Sequence, residues 1–320
     1  MPKLEIPKKV LSWLLEPSNP SVRYRTLVEL LNYSPHDPEI QLNYNEILNW
    51  KPVLDIKNAM HPEGYWLVKV EKGRIVGKDT EYRTFNTTHW VLGYLVEYGL
   101  TRKEEFINLA SNRYLDLQKK DGDFWQHLSC LYGLNLHTFS KLGFGSDPRI
   151  QKTIDLVTRS IRYDNGYLCD LYEGKKRKGR LVKSCFRGTL KVLFGLAEFP
   201  STWKHPTVKA LVDYFLNREL LFKMSKSNEL VVKNAGALVF PFTYREGLLE
   251  IIYPFLKIGY GSHPRFMRAW ELFESKKLPD GRFPLEGSPI NKYLKPGNKG
   301  EVNKWITFYA YLLYKLKNTE

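Results

Sequence analysis

The chain has 320 residues, 43% of them hydrophobic and 14% aromatic, and a formal net charge of +15. No apolar run approaches the roughly 18 residues that span a bilayer. The apolar stretch Val10 to Leu15 is too short for the core of a signal peptide, so a cytoplasmic location is expected. Three cysteines are too few for a disulfide-stapled secreted domain, and reduced thiols are expected instead. The basic balance suits an anionic partner (nucleic acid, anionic lipid or an anionic small molecule) and equally a solvated, Lys-rich surface.

In chain order, a recurring unit appears: a helix, a polar turn with glycine and a following aromatic residue, a loop, and a second, more apolar helix. The first apolar helix starts near Ser21, where Tyr24, Leu27, Val28 and Leu31 share one helical face. The turn HPEGYW (residues 61–66) precedes a helix near Thr87 that carries Val91, Tyr94, Leu95 and Tyr98. The turn QKKDGDFW (118–125) precedes a helix near Ser129. The turn RYDNGYLCD (162–170) precedes a helix near Ser184 that carries Phe186, Leu190, Leu193, Phe194 and Ala197. A unit with a decayed turn near Lys226 to Glu229 leads to a helix near Phe242. The turn KKLPDGRF (276–283) leads to a helix near Asn303 that carries Trp305, Phe308, Tyr309, Leu312, Leu313 and Leu316. Gly64, Gly122, Gly166 and Gly281 mark the turns, because glycine lets a helix stop sharply. With the decayed unit included, the turns recur about every 50 residues, as in stacked helical pairs. The near-copies GSDPRI (145–150) and GSHPRF (261–266), and the looser KHPTV (204–208), each place proline where a helix begins. Asp147 is suited to cap the first of these. Strands are expected only as short pieces within Leu67 to Val76 and Leu230 to Val239.

The turn QKKDGDFW resembles the QW motif of squalene and oxidosqualene cyclases: Gln118 and Gly122 match, and Phe124 stands at the tryptophan position. The segments at Asn19 to Tyr24, Asp164 to Cys169, Ser184 to Phe186 and Lys304 to Thr307 extend the resemblance to squalene-cyclase-like proteins of the terpenoid-cyclase and prenyltransferase superfamily. The resemblance implies one all-α domain over residues 1–320, an α/α toroid with about six inner and five to six outer helices. It also implies that the six apolar helices form the inner ring, with their N-terminal ends around one mouth. The substrate implied is an amphiphilic, isoprenoid- or lipid-like anion, and the chemistry transferase- or cyclase-like. The chain has no DxDD and no DDxxD motif, so the usual cation-initiated cyclisation is not expected.

Two constellations are candidates for the site. Cys130 and Cys185 each stand second in the start of an inner helix, and Cys169 follows a glycine turn. A helix N-terminus lowers a thiol's pKa, and thiolates with histidine make a zinc site. Cys130, Cys169, Cys185, His89 and His127 therefore form a candidate zinc set, with Cys130 and Cys185 as reactive thiols; the alternative is three small buried hydrophobes. His137 lies about two turns into its helix. The second set is cationic and aromatic: Arg23, Tyr24, Thr88, Arg187, Tyr244, Arg245, Lys304 and Trp305 lie near helix starts and suit a phosphate or carboxylate. The alternative there is ion pairing with Glu29, Glu246 or Glu301. Among the acids, Glu246 is the candidate for proton transfer, while Asp121 and Asp164 suit turn capping. Three other functions compete: a non-catalytic scaffold, nucleic-acid binding through the basic stretch Lys175 to Lys183, and polysaccharide processing, for which no carboxylate pair stands out.

Overall fold

The computed structural model describes residues 4–66, 69–71, 74–76, 86–124, 127–224, 226–243, 245–289 and 291–319. Its helices are α1 (Lys8–Leu14), α2 (Pro20–Arg25), α3 (Pro38–Leu48), α4 (Lys51–Asn58), α5 (Thr88–Glu97), α6 (Glu105–Leu115), α7 (Ser129–Phe139), α8 (Pro148–Arg159), α9 (Phe186–Leu196), α10 (Pro206–Leu216), α11 (Leu248–Ile258), α12 (Pro264–Glu274) and α13 (Lys304–Lys317). The helices α2 and α7 continue through wide π-helical turns at Thr26–Leu30 and Ser140–Phe144. Among the described residues, strands are confined to three antiparallel hairpins: β1 (Lys69–Glu71) with β2 (Arg74–Val76), β3 (Lys176–Arg177) with β4 (Arg180–Leu181), and β5 (Phe222–Lys223) with β6 (Lys226–Leu230).

The apolar helices α2, α5, α7, α9, α11 and α13 form an inner ring. Contacts run α5 to α7, α7 to α9, α9 to α11 and α11 to α13, and α13 returns to α2. Arg25 on α2 reaches both Glu97 of α5 and Tyr309 of α13 and so closes the circle. The helices α6, α8, α10 and α12 pack outside α5, α7, α9 and α11, and α1 and α3 lie against α13 and α2. The chain is an α/α toroid. Burial follows from this: every residue of α7 is buried, because an inner helix has neighbours on all sides.

The turns repeat at atomic detail. In each, residue i donates to the carbonyl of i+4, and residue i+3 donates back to the carbonyl of i. The pairs are His61–Tyr65 with Gly64, Lys119–Asp123 with Gly122, Arg162–Gly166 with Asn165, and Leu278–Arg282 with Gly281. The i+3 residue takes a left-handed backbone, with φ of 82°, 101°, 59° and 86° in turn. Asn165, not Gly166, therefore holds the equivalent place in the third turn; asparagine tolerates this conformation better than most residues. Two residues later comes the aromatic. The backbone N–H groups of Trp66, Tyr167 and Phe283 donate to the hydroxyls of Thr88, Thr189 and Thr307 at 3.2, 3.0 and 3.0 Å. Each threonine lies on the next inner helix, so the turn docks its unit onto the ring. The QW-like Gln118 has a like role: its amide donates to the carbonyls of Gly122 and Arg149 and to the Thr153 hydroxyl.

The proline-led starts are helix starts. Asp147, His205 and His263 cap α8, α10 and α12 by accepting from backbone N–H groups two residues on, with Pro148, Pro206 and Pro264 at the first helical position. Three expectations shift. The fifth inner helix begins at Leu248 rather than near Phe242, and Gly247 just before it is extended. Lys226 to Glu229 is strand β6, not a decayed turn. Beyond Leu230 the expected second strand shrinks to a single bridge, Val239 with Gly287.

Ring closure is tightest between α7 and α9. A Cβ on Gly133 would lie 1.7 Å from the Lys191 carbonyl oxygen, and one on Gly195 would lie 2.4 Å from the Gly133 carbonyl oxygen. Backbone meets backbone, so neither side can yield by rotating a side chain. Gly133→Ala is expected to lower stability by about 3 kcal/mol or more, read as a drop in denaturant midpoint. An unchanged midpoint would show that these helices are not in backbone contact.

Candidate functional site in the central cavity

A cavity of about 260 Å³ lies within the ring. It is lined from the C-terminal parts of α2, α5, α7 and α9 and from the middle of α11 and α13. Before α11, residues 240–242 enter the ring: Phe240 stacks on Trp305, with centroids 5.0 Å apart, and Phe242 lies 4.8 Å from Tyr309 and 5.6 Å from Phe194. Glu29 and Lys141 reach the cavity from the two π-helical turns. Such wide turns are frequent at functional sites.

One wall is organised by Glu198, whose side chain is 3% exposed. Its carboxylate accepts from His137 Nδ1 at 3.0 Å, the Tyr253 hydroxyl at 2.8 Å and Lys257 Nζ at 2.7 Å, and pairs with Lys141 Nζ at 3.3 Å. Burial alone would raise its pKa, but Lys141, His137 and Lys257 hold the carboxyl well below the usual range. An ionised carboxylate only accepts, so Nδ1 of His137 carries the proton and Nε2 is left as an acceptor. Burial pushes the imidazole pKa down, and Glu198 only partly opposes it. At neutral pH the ring is neutral. It stacks on Phe194 at 4.2 Å and borders the cavity.

The facing wall centres on Arg25. Its guanidinium donates to Glu29 at 2.5 and 3.2 Å, to Glu97 at 3.0 Å and to the Tyr309 oxygen at 3.0 Å, and lies 4.6 Å from the Phe308 ring. Tyr309 donates its own proton to Glu97. Burial opposes the Arg25 charge, yet Glu29, Tyr309 and Glu97 raise its pKa well above the ordinary value. Burial would raise the Glu29 carboxyl, but Arg25 brings it down. Glu29 and Glu198 are thus both held ionised, while burial keeps Tyr253 and Tyr309 protonated. His137 is the cavity group set up to accept a proton.

The expected residues lie elsewhere, with one exception. Tyr24 lines the cavity. Cys130, Cys169 and Cys185 do approach one another near the starts of α7 and α9, and Cys169 lies 3.6 Å from the Ser129 hydroxyl. Burial, however, pushes the Cys130 thiol well above its ordinary pKa and raises that of Cys185, outweighing the helix ends, so both are neutral thiols. His89 packs against Trp90 and Tyr114, and His127 faces Asp121 at 3.3 Å and Tyr132 at 2.9 Å. Among the described residues no three His, Cys, Asp or Glu side chains are placed to share a metal ion. The five-residue zinc set is therefore not gathered.

The cationic set is dispersed into ion pairs. Arg23 pairs with Glu46 at 3.4 Å, Lys304 with Glu16 at 2.7 Å, and Arg187 with the fully buried Glu246. Glu246 is thereby committed to a partner. Arg245 is exposed, Thr88 serves the Trp66 turn, and Trp305 is buried beneath Phe240. Tyr244 lies outside the described residues. Asp164 accepts from the Ser184 N–H at 2.8 Å, a structural role like the capping expected of it. The groups that the sequence reading missed, Arg25, Glu29, Lys141, Glu198, Tyr253 and Lys257, lie past helix starts. The available signal was a single polar residue on an otherwise apolar inner face.

No family model matches the chain, and no curated protein is similar to it at a significant level. Among solved structures it is similar to a glycosyl hydrolase family 88 protein from Bacteroides vulgatus: 12% identity, 94% of this chain and 90% of that one covered, TM-score 0.53. A polysaccharide lyase also aligns, at 13% identity, with 97% of this chain and 96% of that one covered and a TM-score of 0.48. The first likeness bears out the α/α toroid. The same likeness overturns the resemblance to squalene-cyclase-like and prenyltransferase proteins, and with it the isoprenoid-like substrate. The physical reason is visible in the turns: Gln118 and the turn glycines serve helix docking, so the QW-like signature reports a toroid rather than a chemistry. A cavity walled by charged groups would also leave them desolvated against an apolar tail. No helix among the described residues is long and apolar enough to cross a membrane.

His89, near the start of α5 and away from the cavity, offers a test of the core packing. It is 4% exposed, neither ring nitrogen has a hydrogen-bond partner among the described residues, and burial lowers its pKa to about 3. Between that value and the ordinary 6.5, the unfolded chain binds the proton and the folded chain does not. Stability is therefore full above about pH 6.5 and falls as the pH drops, by ~2 kcal/mol at pH 5 from this residue. His89→Leu is expected to flatten that slope in melting curves taken from pH 7 to pH 5; equal slopes would place a partner on the ring.

Proposed function

We propose that the protein binds the end of a saccharide in the central cavity and acts on it, with His137 as the proton acceptor. The observation that carries this reading is the His137–Glu198 pair, which leaves a neutral, oriented Nε2 beside the cavity. Glu198 is a positioning residue. The Tyr253 and Tyr309 hydroxyls, Glu29 and Lys141 supply the mixture of donors and acceptors that sugar hydroxyls require, and Tyr24, Phe194 and Phe242 supply ring faces. The volume is slightly below the ~300–1,000 Å³ of ordinary small-molecule sites, which suits a chain end rather than a long run of polymer. Support for a saccharide comes from the names of the fold neighbours, a glycosyl hydrolase foremost.

The test is a screen of neutral and acidic oligosaccharides by calorimetry, followed by an assay of new chain ends. On the saccharide that binds, His137→Gln is expected to cut turnover about 100-fold or more with little change in affinity. Glu198→Gln removes the charge that holds the His137 pKa up, so the acid limb of its pH–rate profile moves to lower pH. Full turnover in His137→Gln, or no saccharide bound by the wild type, would overturn the reading.

A further inference from the structure

The stretch from Lys175 to Lys183 lies outside the cavity. It forms the hairpin β3–β4 between α8 and α9, and leads into α9 at its N-terminal end, whereas the cavity is lined from the C-terminal end. Its base is fixed. Arg162 donates to the Val182 carbonyl at 3.1 Å and pairs with Glu173 at 2.9 Å, and the Val182 N–H donates to the Lys175 carbonyl at 3.0 Å. Beyond that base the hairpin is exposed, and it carries Lys175, Lys176, Arg177, Lys178, Arg180 and Lys183. The nearby acid, Glu173, is already engaged by Arg162.

Two features set this hairpin apart from an ordinary solvated surface. Arg177 and Arg180 are direct cross-strand partners. Residues so placed have Cβ atoms about 5 Å apart, and like charges directly opposite destabilise the pair. At the tip, Lys178 takes φ 51° beside Gly179 at φ 76°, a two-residue turn in which asparagine or glycine is the favoured first residue. The hairpin therefore places cations where they cost stability, and no acidic side chain among the described residues pairs with Arg177 or Arg180. An anionic group lying between the two guanidiniums removes that repulsion and accepts paired N–H bonds from them. A recess of about 540 Å³ beside them is lined by Arg177, Lys178, Arg180, Leu181, Val182 and Lys183. Tyr172, half exposed, lies 5.5 Å from the Lys175 ammonium and offers a ring face at the base.

We infer that this hairpin is a second binding site, which holds the anionic groups of an acidic polysaccharide apart from the cavity. The identity of the polymer rests on the saccharide reading of the cavity; the anion site itself does not. The hairpin presents no helix to a nucleic-acid groove, and Tyr172 beside its cations does not by itself make a stacking platform.

The test uses the full chain and labelled polygalacturonate, dextran and duplex DNA, with binding followed by fluorescence anisotropy. The proteins are the wild type, a hairpin variant (Lys176→Ser, Arg177→Ser, Lys178→Gly, Arg180→Ser) and His137→Gln. Polygalacturonate is expected to bind the wild type, to weaken about tenfold or more between about 50 and 200 mM salt, and to be lost in the hairpin variant. The variant should melt at or above the wild-type temperature, because the cross-strand repulsion is gone. Dextran should not bind the hairpin. His137→Gln should lose turnover yet bind polygalacturonate as the wild type does, and the hairpin variant should lose that binding yet keep turnover of the saccharide that the cavity takes, so the two readings can fail separately. Equal binding by wild type and hairpin variant, or tighter binding of DNA than of polygalacturonate at the same salt, would overturn the proposal.

Discussion

The buried guanidinium of Arg25 ties the first inner helix to the second and the last. Five helices packed side by side would still be an open arc; the sixth makes a ring only when α13 returns to α2, and Arg25 lies at that seam with Glu97, Glu29 and Tyr309 around it. A charge this deeply buried is tolerable only with partners, and stripping one away from such a group typically costs about 3–5 kcal/mol. The same side chains that close the ring also form one wall of the cavity. Closure and site are thus one set of interactions.

On the opposite side the ring is held by the absence of side chains. Gly133 and Gly195 let α7 and α9 meet at their backbones, and Gly188 leaves room for the Ser129 side chain. This close approach fixes how the C-terminal ends of the two helices stand. His137 on α7, and Phe194 and Glu198 on or just past α9, inherit their geometry from it. The Glu198 carboxylate then gathers Tyr253 and Lys257 from α11. A backbone contact within the core thereby sets the orientation of one imidazole nitrogen. Neighbouring Lys191 and Glu250 form a wholly buried pair, in which burial raises the Glu250 carboxyl to about 7 against the opposing effect of Lys191.

The turns explain how a resemblance to one family can point to the right architecture and the wrong chemistry. Each turn needs a residue that tolerates a left-handed backbone, then an aromatic two places on, and three of them need a threonine on the next helix. Any toroid built from such units meets the same demands. Short glycine–aromatic motifs are therefore signatures of assembly. The chemistry resides in side chains such as His137 and Glu198, which belong to no motif.

The sequence by itself determined an all-α chain of paired helices, six apolar helices with five of their six starts, the proline-led starts of the outer helices and the exposed basic stretch, whereas the closed toroid came only with the resemblance. These follow from periodicity, turn chemistry and capping, which are local and leave marks within a few residues. Tertiary structure alone decided which end of the ring carries the cavity, and that Arg23, Arg187 and Lys304 are spent on ion pairs. It also decided that burial leaves Cys130 and Cys185 neutral, and that His137, Glu198, Tyr253 and Lys257 converge. Glu198 lies 61 residues from His137 and 55 from Tyr253 in sequence. No local pattern spans such distances; only the stagger of the packed helices brings those groups together.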